Sequence, residues 1–83
     1  MGVNKQISSL ENPHLLIGLA VSSLRNDREI SIEVLSHEIN MEKKHLWMIE
    51  KGKTNITINT LIKICNFFEL SLSEFFKYVD SLN

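Results

Sequence analysis

Two short helices in close succession are predicted by one stretch of the sequence, SIEVLSHEINMEKKHLWMIEKG at residues 31–52. Ser31 is a preferred N-cap residue, and Glu33 places a negative charge in the first turn, where it interacts favourably with the helix dipole. The first helix stops at Asn40, a residue that tolerates the left-handed backbone of a tight turn. The second helix begins after a link of three residues and stops at Gly52. A link this short holds the two helices against each other.

The second helix, residues 43–51, has one apolar side and one side that mixes cationic and apolar residues. At about 100° per residue, Leu46 and Ile49 point to the buried side. The opposite side and its flank carry three lysines, a tryptophan and a methionine: Lys43, Lys44, Trp47, Met48 and Lys51. The pattern over about residues 31–51 therefore predicts a helix-turn-helix, a motif whose second helix enters the DNA major groove.

Basic residues concentrate around this helix, although the chain has nine Lys and Arg against ten acidic residues and a net charge of −1. Positions 43–53 hold four of the nine basic residues and one acid, Glu50. Charge runs are usually solvated surface, but a local positive charge on a groove-reading helix favours contact with DNA. Trp47 has two interpretations: it is exposed at this surface, or it belongs to the core of a slightly rotated helix.

Three more helices surround this pair. The first opens with Asn12 as N-cap and Pro13 at the first helical position, which is favoured because proline loses no needed hydrogen bond there. Another begins after Thr57, and the last begins with the capping box formed by Ser71 and Glu74. No segment alternates with period two for long, so the predicted fold is all-α with five short helices.

The chain divides into a flexible N-terminal arm, residues 1–12, and one domain, residues 13–83. A single cysteine excludes an internal disulfide, and Cys65 lies among apolar residues at helical spacing, which indicates a core position. His37 and His45 lie on different helices, so we expect no metal site. The sequence contains no nucleophile elbow and no phosphate-cradling loop, so we expect neither an enzyme nor a cofactor.

The expected location is the cytoplasm. The longest apolar run, residues 15–21, is too short to cross a bilayer, so no membrane association is expected. Residues 1–13 do not have the hydrophobic stretch of a signal peptide. An unpaired cysteine fits a reducing compartment.

An ordered series of short motifs extends over roughly residues 16–76: Leu24-Arg25, Ile30-Ser31, Leu35-Ser36, Leu46, Ile49-Glu50-Lys51-Gly52, Thr60-Leu61 and Leu70-Ser71-Leu72-Ser73-Glu74-Phe75. In this order and spacing they resemble the Cro/repressor-type helix-turn-helix family, also called the xenobiotic-response-element class. The resemblance implies a lambda-repressor-like DNA-binding domain. It also implies a buried ion pair between Arg25 and Glu50.

The resemblance further implies the residues that contact DNA. Base-reading positions fall on Lys43, Lys44 and Met48, and an exposed Trp47 beside them is free to touch sugar or a thymine methyl. Phosphate contacts fall on the start of the first motif helix and on the loop after the second: Ser31, Glu33, Lys53, Thr54 and Asn55. Beyond the resemblance, His45 and Lys51 of the second motif helix are further candidates for phosphate contact.

Four residues depart from the family pattern. Ile32 replaces the usual glutamine that grips the DNA backbone. Glu29 replaces the usual glycine after the helix that opens with Asn12, which suggests either a longer helix or a strained end. Asn40 replaces the glycine of the turn, a tolerable exchange. Glu42 replaces the usual Ser, Thr or Asn cap, and as a carboxylate it would repel phosphate.

The last helix, at about residues 72–82, carries more apolar side chains than the end of a five-helix core can cover. Those expected at a twofold interface are Phe76, Tyr78, Val79 and Leu82. The resemblance supports this assignment, because family members commonly pair through their last helix. A homodimer would place two recognition helices roughly 34 Å apart on a pseudo-palindromic site.

The predicted function is a sequence-specific DNA-binding transcriptional regulator, with double-stranded DNA as partner and an accessory protein as a further candidate partner. The alternative is a protein-interaction module, such as an antitoxin or anti-regulator. In that case the surface of Trp47 and Met48, or that of the last helix, binds another protein.

Overall fold

A computed structural model describes residues 12–82 of the chain. It contains five α-helices: α1 (Pro13–Asp27), α2 (Ile32–Glu38), α3 (Lys43–Glu50), α4 (Ile58–Phe67) and α5 (Leu72–Ser81). No strand occurs between residues 12 and 82, so the all-α prediction is confirmed. The predicted N-terminal arm, apart from Asn12, lies outside the described residues, as does Asn83.

The sequence predicts where the helices begin because their caps are side chains. Four helices start at a residue whose side-chain oxygen accepts a backbone N–H from the first turn: Asn12, Ser31, Thr57 and Ser71. In α5 the Glu74 carboxylate also accepts the Ser71 N–H at 2.8 Å, which completes the capping box. Helix α3 is the exception, because its N-cap residue Glu42 makes no side-chain capping bond.

Four helices end in the same way, with one residue in the left-handed region directly after the C-cap. These residues are Glu29, Asn40, Gly52 and Glu69, with φ between 55° and 70°. After α2, for example, the Met41 N–H donates to the Ser36 carbonyl at 2.8 Å, as a Schellman motif requires. At Glu29 the structure therefore shows a strained helix end and not a longer helix.

One hydrophobic core joins all five helices. Its buried apolar residues are Ile17, Ala20, Val21, Leu35, Ile39, Leu46, Ile49, Leu61, Ile64, Cys65, Phe68, Phe75 and Val79. Cys65 lies in the core as expected, and burial raises the pKa of its thiol. The prediction that Val79 lies at a twofold interface is wrong. Its side chain has no exposed surface, because it packs inward one helical turn after Phe75. Val79 is therefore not available to a partner.

None of the five helices in the described part of the chain has both the length and the apolar character needed to cross a membrane.

Candidate nucleic-acid interface

Helices α2 and α3 form the predicted helix-turn-helix. The chain reverses at Asn40, whose φ of 55° lets the backbone turn directly after α2. Leu35 and Ile39 of α2 and Leu46 of α3 are buried in the same core cluster, so the two helices share one apolar seam. The angle between them is therefore fixed by side-chain packing rather than by the short link alone.

The C-terminal end of α3 is held against α1 at two glycines. A Cβ on Gly18 would lie 2.6 Å from the Glu50 carbonyl oxygen, and it would also collide with the Ile49 carbonyl. A Cβ on Gly52 would lie 2.6 Å from the Leu15 Cα, and Gly52 also has a φ of +70°. Both glycines thus allow a backbone approach that any side chain would block. This role of Gly18 was not predicted, although an isolated glycine within a helical pattern is a signal for such a close contact.

An ion pair between Arg25 and Glu50 adds a polar connection at the same junction. Arg25 Nε donates to Glu50 Oε2 at 2.9 Å and Nη2 donates to Oε1 at 3.0 Å, while Nη1 donates to the Ile30 carbonyl at 3.0 Å. The hydrogen bonds to Glu50 raise the pKa of Arg25. Glu50 is buried. Two parallel hydrogen bonds from the planar guanidinium fit the two oxygens of its carboxylate. One guanidinium therefore connects α1, the end of α3 and the segment before α2.

The outward face of α3, defined here as Lys44, Trp47, Met48 and Lys51, lies opposite this anchorage. Lys44 and Lys51 are exposed and Met48 is half-buried, whereas Leu46 and Ile49 are almost fully buried. Trp47 is 43% exposed, which favours the surface interpretation of this residue over the core interpretation. The surface is thus accessible, cationic at both ends and apolar in between.

Lys43 lies on the flank of α3 that faces α2. Its Nζ is 3.2 Å from Glu33 Oε2, and both side chains remain more than half exposed. The pair joins a residue predicted to read bases to one predicted to contact phosphate. Because an ionised carboxylate has no proton to donate, the Glu33 side chain cannot hydrogen-bond a phosphate.

The remaining residues predicted to contact phosphate surround the outward face. His45, Lys53 and Asn55 are exposed and Thr54 is half-buried. The Ser31 hydroxyl oxygen accepts the Val34 N–H at 3.0 Å, so it also caps α2.

Helix α5 packs against α1 and α4 and presents its own partly apolar side. Leu82 is 40% exposed, and Phe76 and Tyr78 are half-buried. The Tyr78 hydroxyl donates to the Ser23 hydroxyl of α1 at 2.6 Å, so the tip of this ring is held within the chain. Other apolar side chains are also exposed, among them Leu15, Leu19, Ile58, Ile62 and Leu72.

Between residues 12 and 82, no group of three or more His, Cys, Asp or Glu side chains is arranged to hold a metal ion.

A family model, the Cro/C1-type HTH DNA-binding domain HTH_26, matches residues 21–81. The chain belongs to this family. The Cro/C1-type match includes the whole of α2 and α3, together with the Arg25–Glu50 pair. The resemblance drawn from the sequence motifs is thereby confirmed.

Solved structures show the same fold at low sequence identity. The restriction-modification controller protein C.AhdI from Aeromonas hydrophila has a TM-score of 0.70 at 19% identity, with 75% of this chain and 94% of that chain covered. The clp gene regulator ClgR from C. glutamicum has a TM-score of 0.75 at 18% identity, with 82% and 87% covered. The controller protein C.Esp1396I, as a tetramer in complex with its natural 35 base-pair operator, has a TM-score of 0.73 at 22% identity, with 83% and 93% covered. A search of curated proteins finds no match.

Proposed function

We propose that this Cro/C1-type domain is a sequence-specific transcriptional regulator that binds operator DNA by placing α3 in the major groove. The observation that carries the proposal is the outward face of α3. It presents two lysines, an exposed tryptophan and a methionine on a helix whose opposite side is anchored in the core. A helix held this firmly can bring side chains to base edges in a fixed register.

The side chains of the outward face suit different parts of a base pair. An exposed lysine such as Lys44 can donate to guanine O6 and N7, and Lys43 can do so when it leaves Glu33. Met48 and Trp47 supply apolar surface, which suits the methyl group of thymine or a sugar. We therefore expect a half-site that contains guanine and thymine at the positions facing α3.

Phosphate contacts would fix the position of α3 in the groove. Lys51, Lys53 and His45 supply positive charge or N–H donors, while Thr54 and Asn55 supply side-chain hydrogen bonds. Ser31 and Glu33 lie at the start of α2, where backbone N–H groups face the solvent. The contribution of Glu33 to phosphate would come from its backbone N–H and not from its carboxylate.

Two copies of the chain would bind one operator. C.Esp1396I, which shares this fold, binds its operator as a tetramer. In this chain the surface proposed for pairing is the exposed side of α5, with Phe76, Tyr78 and Leu82. A twofold pair would place two α3 helices roughly 34 Å apart, so the operator would be a pseudo-palindrome. Occupancy of the operator would then control the access of polymerase, and an accessory protein would be a further partner.

Binding to duplex DNA as a function of salt tests this proposal. The wild-type affinity for a random duplex should fall steeply as the salt concentration rises, because phosphate contacts release counterions. Lys44→Ala should reduce the slope of log K against log salt by about one unit. Lys63→Ala, an exposed lysine on α4, serves as the matched control and should leave the slope unchanged.

The opposite result would favour the protein-interaction alternative. If the wild-type chain ignores duplex DNA at low salt but captures a protein partner through the outward face of α3, the regulator proposal is wrong. Selection of sites from a random duplex pool adds an independent readout, since the half-site spacing reports the geometry of the pair.

A further inference from the structure

The ion pair between Lys43 and Glu33 lies at the end of the helix-turn-helix that would face DNA. Lys43 is the first residue of α3 and Glu33 is in the first turn of α2. Their charged atoms are 3.2 Å apart, and the side chains are 56% and 68% exposed. An incoming phosphate can therefore reach the Lys43 ammonium, but it must compete with a carboxylate that already occupies it.

The other lysines of this region differ from Lys43 in this respect. In the part of the chain that the structure describes, Lys44, Lys51 and Lys53 form no salt bridge. Each can release a counterion from DNA without first breaking an intramolecular pair. The Lys43–Glu33 pair, in contrast, brings no net charge to the interface, and Glu33 repels phosphate if Lys43 leaves it.

We propose that Glu33 is a positioning residue that competes with DNA phosphates for Lys43 and so lowers the sequence-independent affinity of the helix-turn-helix for DNA. This inference rests on the proposed function. Phosphate contacts dominate binding to any sequence, whereas base contacts distinguish sequences. With Lys43 held by Glu33, contacts from the outward face of α3 carry a larger share of the total binding energy.

The expected effect is modest because the pair is exposed. Pairs of this kind contribute little to stability, so Glu33→Gln should tighten binding to a random duplex by about two- to fivefold at moderate salt. It should also steepen the salt dependence by about 0.9 unit, since one more lysine then contacts phosphate. Both residues are exposed, so the variants should fold, which circular dichroism can verify.

A double-mutant cycle separates competition for Lys43 from the general effect of removing a negative charge. Binding of a random duplex is measured for the wild type, Glu33→Gln, Lys43→Ala and the double variant. If Glu33 acts through Lys43, Glu33→Gln tightens binding in the wild-type background and by less than half as much in the Lys43→Ala background. Glu42→Gln is the matched control: Glu42 is exposed and adjacent to Lys43 in sequence, and it forms no salt bridge within residues 12–82. Its effect should be the same in both backgrounds.

Two results would overturn the inference while leaving the proposed function intact. One is equal tightening by Glu33→Gln with and without Lys43, which would show only long-range repulsion. The other is no tightening at all. If the wild-type chain itself fails to bind duplex DNA at low salt, the proposed function fails, and this inference fails with it.

Discussion

Gly18 shows how the absence of one side chain positions α3. The carbonyl oxygens at the end of α3 occupy the space that a Cβ at position 18 would need. Nearby, Glu50 receives two hydrogen bonds from Arg25. The placement of α3 against α1 therefore depends on a close backbone approach and on one ion pair.

Gly18→Ala should destabilise the chain by about 1–3 kcal/mol, because the new methyl group must push α1 away from α3. This is the reverse of the usual effect, since alanine is normally the better helix former by about 1 kcal/mol. Urea denaturation followed by circular dichroism measures the change. Asn26→Ala, an exposed position on the same helix, is the control and should change stability by less than about 0.5 kcal/mol. An unchanged or raised stability of Gly18→Ala would contradict the close approach.

Residues differ in how far the sequence reveals their roles. The Arg25–Glu50 pair was expected from the family pattern, because both positions belong to recognisable motifs. The Lys43–Glu33 pair was not expected, since it depends on the angle at which α2 meets α3. Val79 was wrongly assigned to an interface because the apolar residues of α5 lie close together in sequence, and only the packing separates the inward from the outward ones.

At the scale of the helices, the starts are easier to predict than the ends. Polar capping side chains mark the starts of α1, α2, α4 and α5 in the sequence itself. The ends of α1 and α4 use glutamates in the left-handed region, at Glu29 and Glu69. A glutamate carries no local signal for that conformation. At Glu29 the family pattern left a strained end as one of two alternatives, whereas the end at Glu69 is recognisable only from its backbone angle and hydrogen bonds.

Replacing these glutamates with glycine should stabilise the chain. Glu29→Gly and Glu69→Gly should each add about 0.5–1 kcal/mol, because relief of the left-handed strain exceeds the entropy that glycine gains on unfolding. Thermal denaturation at neutral pH measures the gain. Asn40→Gly is the control, and its effect should be smaller because asparagine already tolerates this conformation. A loss of stability in both glutamate variants would argue against the strain.

The capping box of α5 should make the stability of the chain depend on acid pH. Hydrogen bonds from Ser71, first from its backbone N–H, lower the pKa of Glu74 below its ordinary value of 4.5. A group with a lowered folded-state pKa stabilises the fold above its unfolded pKa, and this contribution is lost as the pH falls through the folded value. Glu74→Gln should therefore be less stable than wild type at pH 7, with the difference shrinking below pH 4.5. A difference that stays constant with pH would exclude this contribution.

At the scale of the whole molecule, the exposed side of α5 is proposed to pair two chains. Leu82→Glu should shift the chain from dimer to monomer, because it would bury a charge in that interface. Sedimentation equilibrium measures the change. Leu19→Glu is the matched control, since Leu19 is a similarly exposed leucine on α1. If Leu19→Glu dissociates the dimer and Leu82→Glu does not, the interface lies on α1.

The fold could be predicted from the sequence because it consists of local elements, each with its own apolar period and all but α3 with a capping side chain. The candidate DNA surface could be predicted as a set of positions, since Leu46 and Ile49 identify the buried side of α3. Its arrangement could not, because the glycine contacts and the ion pair with α2 join residues that are distant in sequence.

Helix α3 is supported unevenly along its length. Its last turn is fixed by Arg25 and two close backbone contacts, whereas its first turn has no side-chain cap. Its two ends are therefore held by different means, the last turn by contacts with α1 and the first turn by the buried Leu46 and the exposed Lys43–Glu33 pair. The end that would meet the bases is thus held by packing as well, so differences in groove shape would be met by the exposed side chains of Lys43 and Lys44 rather than by movement of the helix.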